Sequence, residues 1–193
     1  MHTSKQLNNV FTISLAALAL SGCQLNKLPE NNGNGALLLL VAIEKDGKEQ
    51  YPCRSVSMEV AGEERSFHID VDRLENEDVA DSSNLHVGYG LFSNLPPAEY
   101  LVTELKCWPH IRHEFTGSGT SFFSFQTHLN FTIKPDTITV HRQGIRGSVY
   151  KRLDETSVFN IGTADFGTEG RDLAVDMLNA QEPDIDNWSI ERL

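Results

Sequence analysis

The sequence predicts a mainly β protein, an antiparallel sandwich of seven to nine strands followed by one C-terminal α-helix. Apolar and polar residues alternate in five segments between residues 56 and 133, which is the period of a half-buried strand. Turn-forming residues separate these segments. After residue 165 the period changes, because Leu173, Ala174, Met177 and Leu178 recur at helical spacing.

The first half of the chain supplies five of the predicted strands. Residues 36–43 form a continuous apolar run that indicates a buried strand followed by a turn. Residues 56–60 and 67–71 alternate on either side of a tight turn and predict a hairpin. Alternation returns at residues 85–91 and 101–107. In the last of these, one face is expected to carry Leu101, Thr103, Leu105 and Cys107.

The second half contains the clearest strand, residues 123–133, whose apolar side chains alternate with polar ones. Pro135 and Asp136 predict a turn, and Ile138 and Val140 a return strand in which Ile133 faces Ile138 and Phe131 faces Val140. Residues 144–152 and 158–161 give one or two further strands. The helix begins behind Thr168 and Glu169 and ends before Pro183.

The N-terminus has the pattern of a signal peptide. Residues 10–20 are apolar except for Thr12 and Ser14, a run too short to span a bilayer. The next residues complete the sequence Leu20-Ser21-Gly22-Cys23, which resembles the lipobox of bacterial lipoproteins. The alternative is an ordinary secretory signal that holds a cysteine near its end.

The lipobox resemblance implies cleavage before Cys23 and acylation of that cysteine with diacylglycerol and a further chain such as palmitate. Two or three acyl chains form an effectively permanent anchor. Gln24 is not the aspartate that commonly retains lipoproteins at the inner membrane. The resemblance therefore implies a protein anchored to the outer membrane and facing the periplasm.

The chain is therefore expected to contain four regions: a signal peptide (residues 1–22), a lipidated cysteine with a flexible tether (23–35), a β-sandwich (36–164), and a helix and tail packed on it (165–193).

Cleavage removes one of the 16 basic residues, Lys5, and leaves 15 against 27 acidic ones, a formal charge of −12. Nucleic acid and anionic lipid are poor partners for such a surface. A tether of about twelve residues spans about 20 Å, so the partner is expected close to the membrane.

The cysteine count fits an oxidising compartment. If Cys23 is acylated, Cys53 and Cys107 remain as a pair, and we expect a disulfide between them. The alternative is two separately buried thiols.

One short motif carries a second resemblance. The sequence Phe92-Ser93-Asn94-Leu95-Pro96-Pro97-Ala98-Glu99-Tyr100 is similar to the F-x-x-L-P-P-G-x-Y segment of transthyretin-like (prealbumin-like, carboxypeptidase regulatory-like) domains, which recur in envelope lipoproteins. Alanine stands at position 98, where the family usually has glycine, so a turn of another type is expected. The resemblance extends over residues 36–180 and implies a transthyretin-like or Ig-like sandwich, without implying an activity.

Catalytic motifs are absent from the sequence. It has no nucleophile elbow, phosphate loop, dinucleotide fingerprint or paired metal-ligand cysteines, so neither an enzyme nor a cofactor is expected. A metal-binding alternative uses His128 and His141 as diagonal neighbours across the predicted hairpin, or His110 with His113. An envelope glycan or lipid hydrolase is a further alternative, for which the candidate acids are Asp154, Glu155 and Glu169.

Aromatic residues are the candidates for recognition. Trp108, Trp188 and Tyr150 could form a platform for sugar rings or for a partner's side chains. Alternatively, such tryptophans plug the ends of a sandwich or fix a helix to it. The leading hypothesis is a non-enzymatic lipoprotein that binds an envelope protein or polymer, or helps to hold an envelope assembly together.

Overall fold

The structure is a computed structural model that describes residues 28–30, 32–45, 51–62, 66–71, 84–109 and 122–193. Within these ranges the protein is mainly β, with two sheets and one C-terminal α-helix, as predicted. The described strands number ten, against the seven to nine expected. The elements are β1 (Gly35–Lys45), β2 (Cys53–Val60), β3 (Ser66–Asp70), β4 (Leu85–Leu95), β5 (Ala98–Pro109), β6 (Phe123–Ile133), β7 (Thr137–Val140), β8 (Gln143–Lys151), β9 (Ser157–Asp165), α1 (Gly167–Gln181), a 3-10 helix (Pro183–Asn187) and β10 (Ser189–Arg192).

The four-stranded sheet is antiparallel and has the order β3-β2-β5-β6. Its β2–β3 hairpin confirms the predicted one, with Met58 opposite Phe67. The predicted inner face of β5 is half wrong: Tyr100 and Val102 point inwards instead of Leu101 and Thr103, whereas Leu105 and Cys107 are buried as expected. The register of β5 shifts between Val102 and Glu104 against both neighbours, and such a bulge changes which alternate residues face the core.

The six-stranded sheet is mixed rather than antiparallel. Strand β4 pairs antiparallel with β1 along one edge, and β7 and β8 pair parallel with successive parts of the other edge. Outside them, β10 is parallel to β7 and β9 is antiparallel to β8.

The predicted hairpin between β6 and β7 is wrong. Ile138 pairs with Ala36 and Ile190 instead of facing Ile133, because the chain crosses from one sheet to the other at the turn. Alternation predicts which side chains are buried but not which strand lies alongside. Ile138 and Val140 remain buried although the chain crosses to the other sheet. The two strands still touch, since the Thr139 hydroxyl donates to the Thr132 carbonyl over 2.9 Å.

Strand β1 is buried on both faces, which explains its unbroken apolar run. Leu37, Leu39, Val41 and Ile43 face the four-stranded sheet and form the inter-sheet core with residues of β2 to β6, β8 and β9. Ala36, Leu38 and Leu40 face the opposite way and pack with α1, β4, β7 and Trp188 in the helix-side core.

The two cysteines predicted to pair lie at disulfide distance in the inter-sheet core. The sulfur atoms of Cys53 and Cys107 are 2.10 Å apart and the Cα atoms are 5.1 Å apart. Both residues are fully buried.

The register of the strands defines two ends of the sandwich. The N-terminal pole holds the start of β1, the β4–β5 turn and the β6–β7 turn. The distal pole holds the end of β1, the end of β5 and the β8–β9 turn. The described residues that flank positions 46–50, 72–83 and 110–121 therefore lie at the distal pole.

Candidate binding surface on the four-stranded sheet

The two sheets differ in what covers their outer faces. On the six-stranded sheet α1 and the C-terminal tail cover the apolar residues of β1, β4 and β7. On the four-stranded sheet no element among the described residues packs against the outer face. This open face carries polar residues and, near the distal pole, an aromatic pair.

Trp108 is held in place on that face by a buried serine. Its indole nitrogen donates a hydrogen bond to the Ser57 hydroxyl over 3.0 Å, and Ser57 donates to a Glu59 carboxylate oxygen over 3.0 Å. Although Ser57 points outwards, it is 0% exposed and sits below Trp108. Trp108 is half-buried, and because its indole N–H is already paired, it would contact a partner through its ring. Phe122 extends this aromatic surface, with ring centroids 5.0 Å apart.

A charged group adjoins the aromatic pair. Glu59 and Glu104 lie directly opposite each other on β2 and β5, a pairing that is repulsive by itself. Lys106 relieves it, since its ammonium nitrogen is 3.3 Å from a Glu59 oxygen and 3.6 Å from a Glu104 oxygen. The same nitrogen lies 5.1 Å from the Phe122 ring centroid.

We call this group the Trp108 surface; its members are Ser57, Glu59, Glu104, Lys106, Trp108, Phe122 and Ser124. The Ser124 hydroxyl donates to Glu104 and completes the network. The side chains are ordered by one another before any partner arrives, which lowers the entropic cost of binding. The arrangement combines an aromatic face, carboxylate acceptors and one ammonium group, and it suits non-covalent recognition.

Only Trp108 among these residues was singled out from the sequence. Glu59, Glu104, Lys106 and Phe122 were missed. A signal was present: Lys106 and Trp108 are two residues apart in a predicted strand, so they share a face. Which residues of β2 face them depends on a register that the sequence does not give.

The other two candidate aromatics lie elsewhere. Trp188 is buried in the helix-side core, 7% exposed, as in the alternative in which a tryptophan fixes a helix to the sandwich. Tyr150 is 43% exposed and lies near the end of β8, in the other sheet. The three residues therefore do not form one platform.

The strands that carry the two histidines predicted to be diagonal neighbours do not pair with each other. His128 is exposed on β6, whereas His141 follows β7 in the other sheet, because the hairpin on which the prediction depended does not form. The Gln143 amide donates to His141 Nδ1 over 3.0 Å, and burial lowers the pKa of His141. His110 and His113 lie outside the described residues. Among the residues that are described, no group of three or more His, Cys, Asp or Glu side chains could hold a metal ion.

The acids proposed for a hydrolase also lie apart. Asp154 and Glu155 are in the β8–β9 turn, whereas Glu169 is in the first turn of α1, beyond the nine residues of β9. At about 3.3 Å per residue, that strand separates them by roughly 30 Å. The Thr156 hydroxyl and amide donate to Asp154 and lower the pKa of its carboxyl, so this residue is committed to holding the turn.

Comparison with known proteins adds no assignment: no protein-family model, curated protein or solved structure matches the chain at a significant level. Within the described ranges, α1 has neither the length nor the apolar composition needed to cross a membrane, and no longer helix occurs there.

Proposed function

We propose that this chain is a bacterial lipoprotein, anchored to the periplasmic face of the outer membrane by acyl chains on Cys23, and that it acts as a non-enzymatic binding or structural module of the envelope. Its partner is an envelope protein or polymer, which it contacts through the Trp108 surface. The proposal includes the finer classification of the fold as a transthyretin-like or Ig-like sandwich.

The ordered Trp108 surface, on a sheet face that no other described element covers, is the observation that carries the binding role. Tryptophan is among the residues most often responsible for binding energy at interfaces. A surface tryptophan with no role in binding needs no second aromatic residue and no buried serine to fix its orientation. Here Ser57, Phe122 and Lys106 all restrict the rings.

Two features support the location. The apolar run and the Leu20-Ser21-Gly22-Cys23 sequence resemble a lipoprotein signal. The cysteine pair at disulfide distance fits an oxidising compartment such as the periplasm.

The anchor is tested with Cys23→Ser. We expect the wild-type protein to incorporate labelled fatty acid and to fractionate with the outer membrane, and the variant to lose both properties. A wild-type protein that carries no acyl chain would overturn the lipoprotein assignment.

The binding surface is tested by photocrosslinking in cells. A photoreactive residue at Gln126, exposed on β6 opposite Glu104, should give a recurrent crosslinked product. The photoreactive residue placed instead at Asp176, which is exposed on α1, is the positional control and should not give that product. Trp108→Ala should abolish the product, Trp108→Phe should reduce it less, and Tyr150→Ala should leave it unchanged.

Crosslinking that is insensitive to Trp108→Ala, or equally strong from Asp176, would contradict the binding role of this surface. Circular dichroism of each variant shows whether the sandwich is retained. Trp108→Phe keeps an aromatic ring over Ser57 and so separates loss of the ring from loss of the hydrogen bond.

A further inference from the structure

The segment before β1 is fastened to the N-terminal pole. The side-chain amides of Asn32 and Asn34 donate to the Asn94 side-chain oxygen over 3.2 and 2.6 Å. The Gly33 amide donates to an Asp136 carboxylate oxygen over 2.9 Å, and the Asp136 amide donates back to the Asn34 carbonyl over 2.8 Å. We call these five residues the N-terminal clamp. The expected tether included residues 32–34, but they belong to the folded domain.

The clamp is built by two turns, one leaving each sheet. Asn94, at the β4–β5 turn, and Asp136, at the β6–β7 turn, have φ values of 61° and 49°. Non-glycine residues seldom adopt this left-handed region, and Asn and Asp are the types that tolerate it best. Both turns thus present a short polar side chain to the same incoming segment. Further back along the chain, Leu28 packs against the helix-side core.

The clamp and the packed Leu28 together shorten the distance over which the domain can move from an anchor at Cys23. A tether that ended at Gly35 would contain twelve residues, but only five steps separate Cys23 from Leu28, and five residues reach at most roughly 18 Å. Strand β1, with eleven residues, spans about 35 Å towards the distal pole.

Charge does not distinguish the two surfaces near this exit point. The exposed acids of α1 are Glu169, Asp172 and Asp176, and Arg171 and Arg192 both pair with Asp172. The N-terminal pole exposes Asn94, Pro96, Pro97, Ala98 and Pro135 beside the charged residues Glu99 and Lys134, and Lys134 pairs with Glu191. The point at which the clamped segment joins the domain, rather than charge, therefore favours the pole.

We propose that the N-terminal pole lies against the lipid headgroups, so that the distal pole and the Trp108 surface project away from the membrane. This inference rests on the proposed acylation of Cys23. It assigns the clamp a role in orientation. The clamp holds the pole at the bilayer, whereas a twelve-residue tether would let the domain turn freely.

Fluorescence quenching tests the orientation. The acylated, oxidised protein is reconstituted in vesicles of phosphatidylethanolamine and phosphatidylglycerol that contain a lipid with a nitroxide-labelled headgroup. A fluorophore is attached at Pro97→Cys in the pole or at Leu153→Cys in the fully exposed β8–β9 turn. We expect several-fold stronger quenching at residue 97 than at residue 153.

Breaking the clamp should remove this contrast. Asn94→Ala combined with Asp136→Ala, or a ten-residue Gly-Ser insertion after Lys27, should bring the quenching at the two positions close together. Asn130→Ala, at an exposed position on β6, is the matched control and should keep the contrast. Hydrogen exchange at the Gly33 and Asn34 amides reports clamp opening independently of the vesicles.

Equal quenching at both positions in acylated protein overturns the orientation alone. A difference in quenching between residues 97 and 153 that persists in the clamp variants overturns the role of the clamp. Protein whose intact mass shows no acyl chain overturns the proposed function, and the orientation with it.

Discussion

The two cores on either side of β1 are built in different ways. The inter-sheet core lies between two sheets, contains the cysteine pair, and is rich in aromatic contacts: Phe67 lies 5.0 Å from Phe92 and Tyr100 stacks on Phe131 at 5.2 Å. The helix-side core is mostly aliphatic, with Trp188 as its buried aromatic, and one helix closes it. Eight strands, β1 to β6 with β8 and β9, contribute to the inter-sheet core, whereas the helix-side core depends on elements after residue 165. We therefore expect substitutions in the inter-sheet core to lower the free energy of unfolding more than substitutions in the helix-side core do.

The largest effect should come from the cysteines. Replacing Cys53 and Cys107 together by alanine should lower the free energy of unfolding by about 4 kcal/mol, because the crosslink restricts an unfolded loop of 54 residues. Urea unfolding measures the change, and reduced wild-type protein should behave like the double variant. A loss below about 1 kcal/mol would show that the disulfide does not make the inter-sheet core more important for stability than the helix-side core.

Two neighbouring leucines compare the cores directly. Leu39→Ala opens a cavity between two sheets and should cost about 3 to 5 kcal/mol, whereas Leu38→Ala should cost about 2 to 3 because α1 can move into the space. Both side chains are 0% exposed and occupy the same strand, so each controls for the other. Equal costs in urea unfolding would contradict the difference in rigidity.

Glycines at the packing contacts give a smaller effect. A Cβ at Gly147 would lie 2.4 Å from the Tyr51 hydroxyl, which is held by its hydrogen bond to the Asn160 carbonyl. Gly147→Ala should therefore cost about 1 to 3 kcal/mol. At Gly170 the clash with Phe166 is partly offset by about 1 kcal/mol of helix propensity, so the expected loss is smaller.

Gly162→Ala is the matched control, because a Cβ there meets nothing within 4 Å. It should leave stability unchanged or raise it slightly. Thermal unfolding of the three variants checks the order, and a Gly162→Ala variant as damaged as Gly147→Ala would refute the steric explanation.

The smallest effect is a pH dependence at His141, beside the junction of β7 and β8. Burial lowers the pKa of His141, so the folded state binds its proton less readily than the unfolded state does. This contribution to stability is complete above the unfolded value near 6.5 and decreases as the pH falls below it. His141→Gln should flatten the dependence between pH 7 and 5 in urea unfolding, and an unchanged slope would refute the assignment.

The inter-sheet core could largely be predicted from the sequence, and the connections between strands could not. Alternation correctly predicts which residues of β6 face inwards. It fails in β5, because nothing local marks the bulge near Thr103. It also assigns Val140 to a hairpin, because burial against a second sheet produces the same pattern as burial against an adjacent strand.

The candidate site was predictable only in part, for the same reason. Trp108 stands out by residue type, but Glu59 joins it through the pairing of β2 with β5, across more than forty residues of chain. The metal hypothesis for His128 and His141 also assumed a strand pairing, between β6 and β7, that does not form. Predictions that depend on one strand's own period succeed here more often than those that depend on its partner.

The central position of β1 has a consequence for the order of folding. This first strand of the domain completes its sheet with β7 and β8, about one hundred residues later in the chain. Contacts so distant in sequence slow folding, since the intervening loop must close first. The N-terminal part cannot complete its sheet while the C-terminal part is still being synthesised, so β1 is expected to find its final neighbours only after almost the whole chain is available.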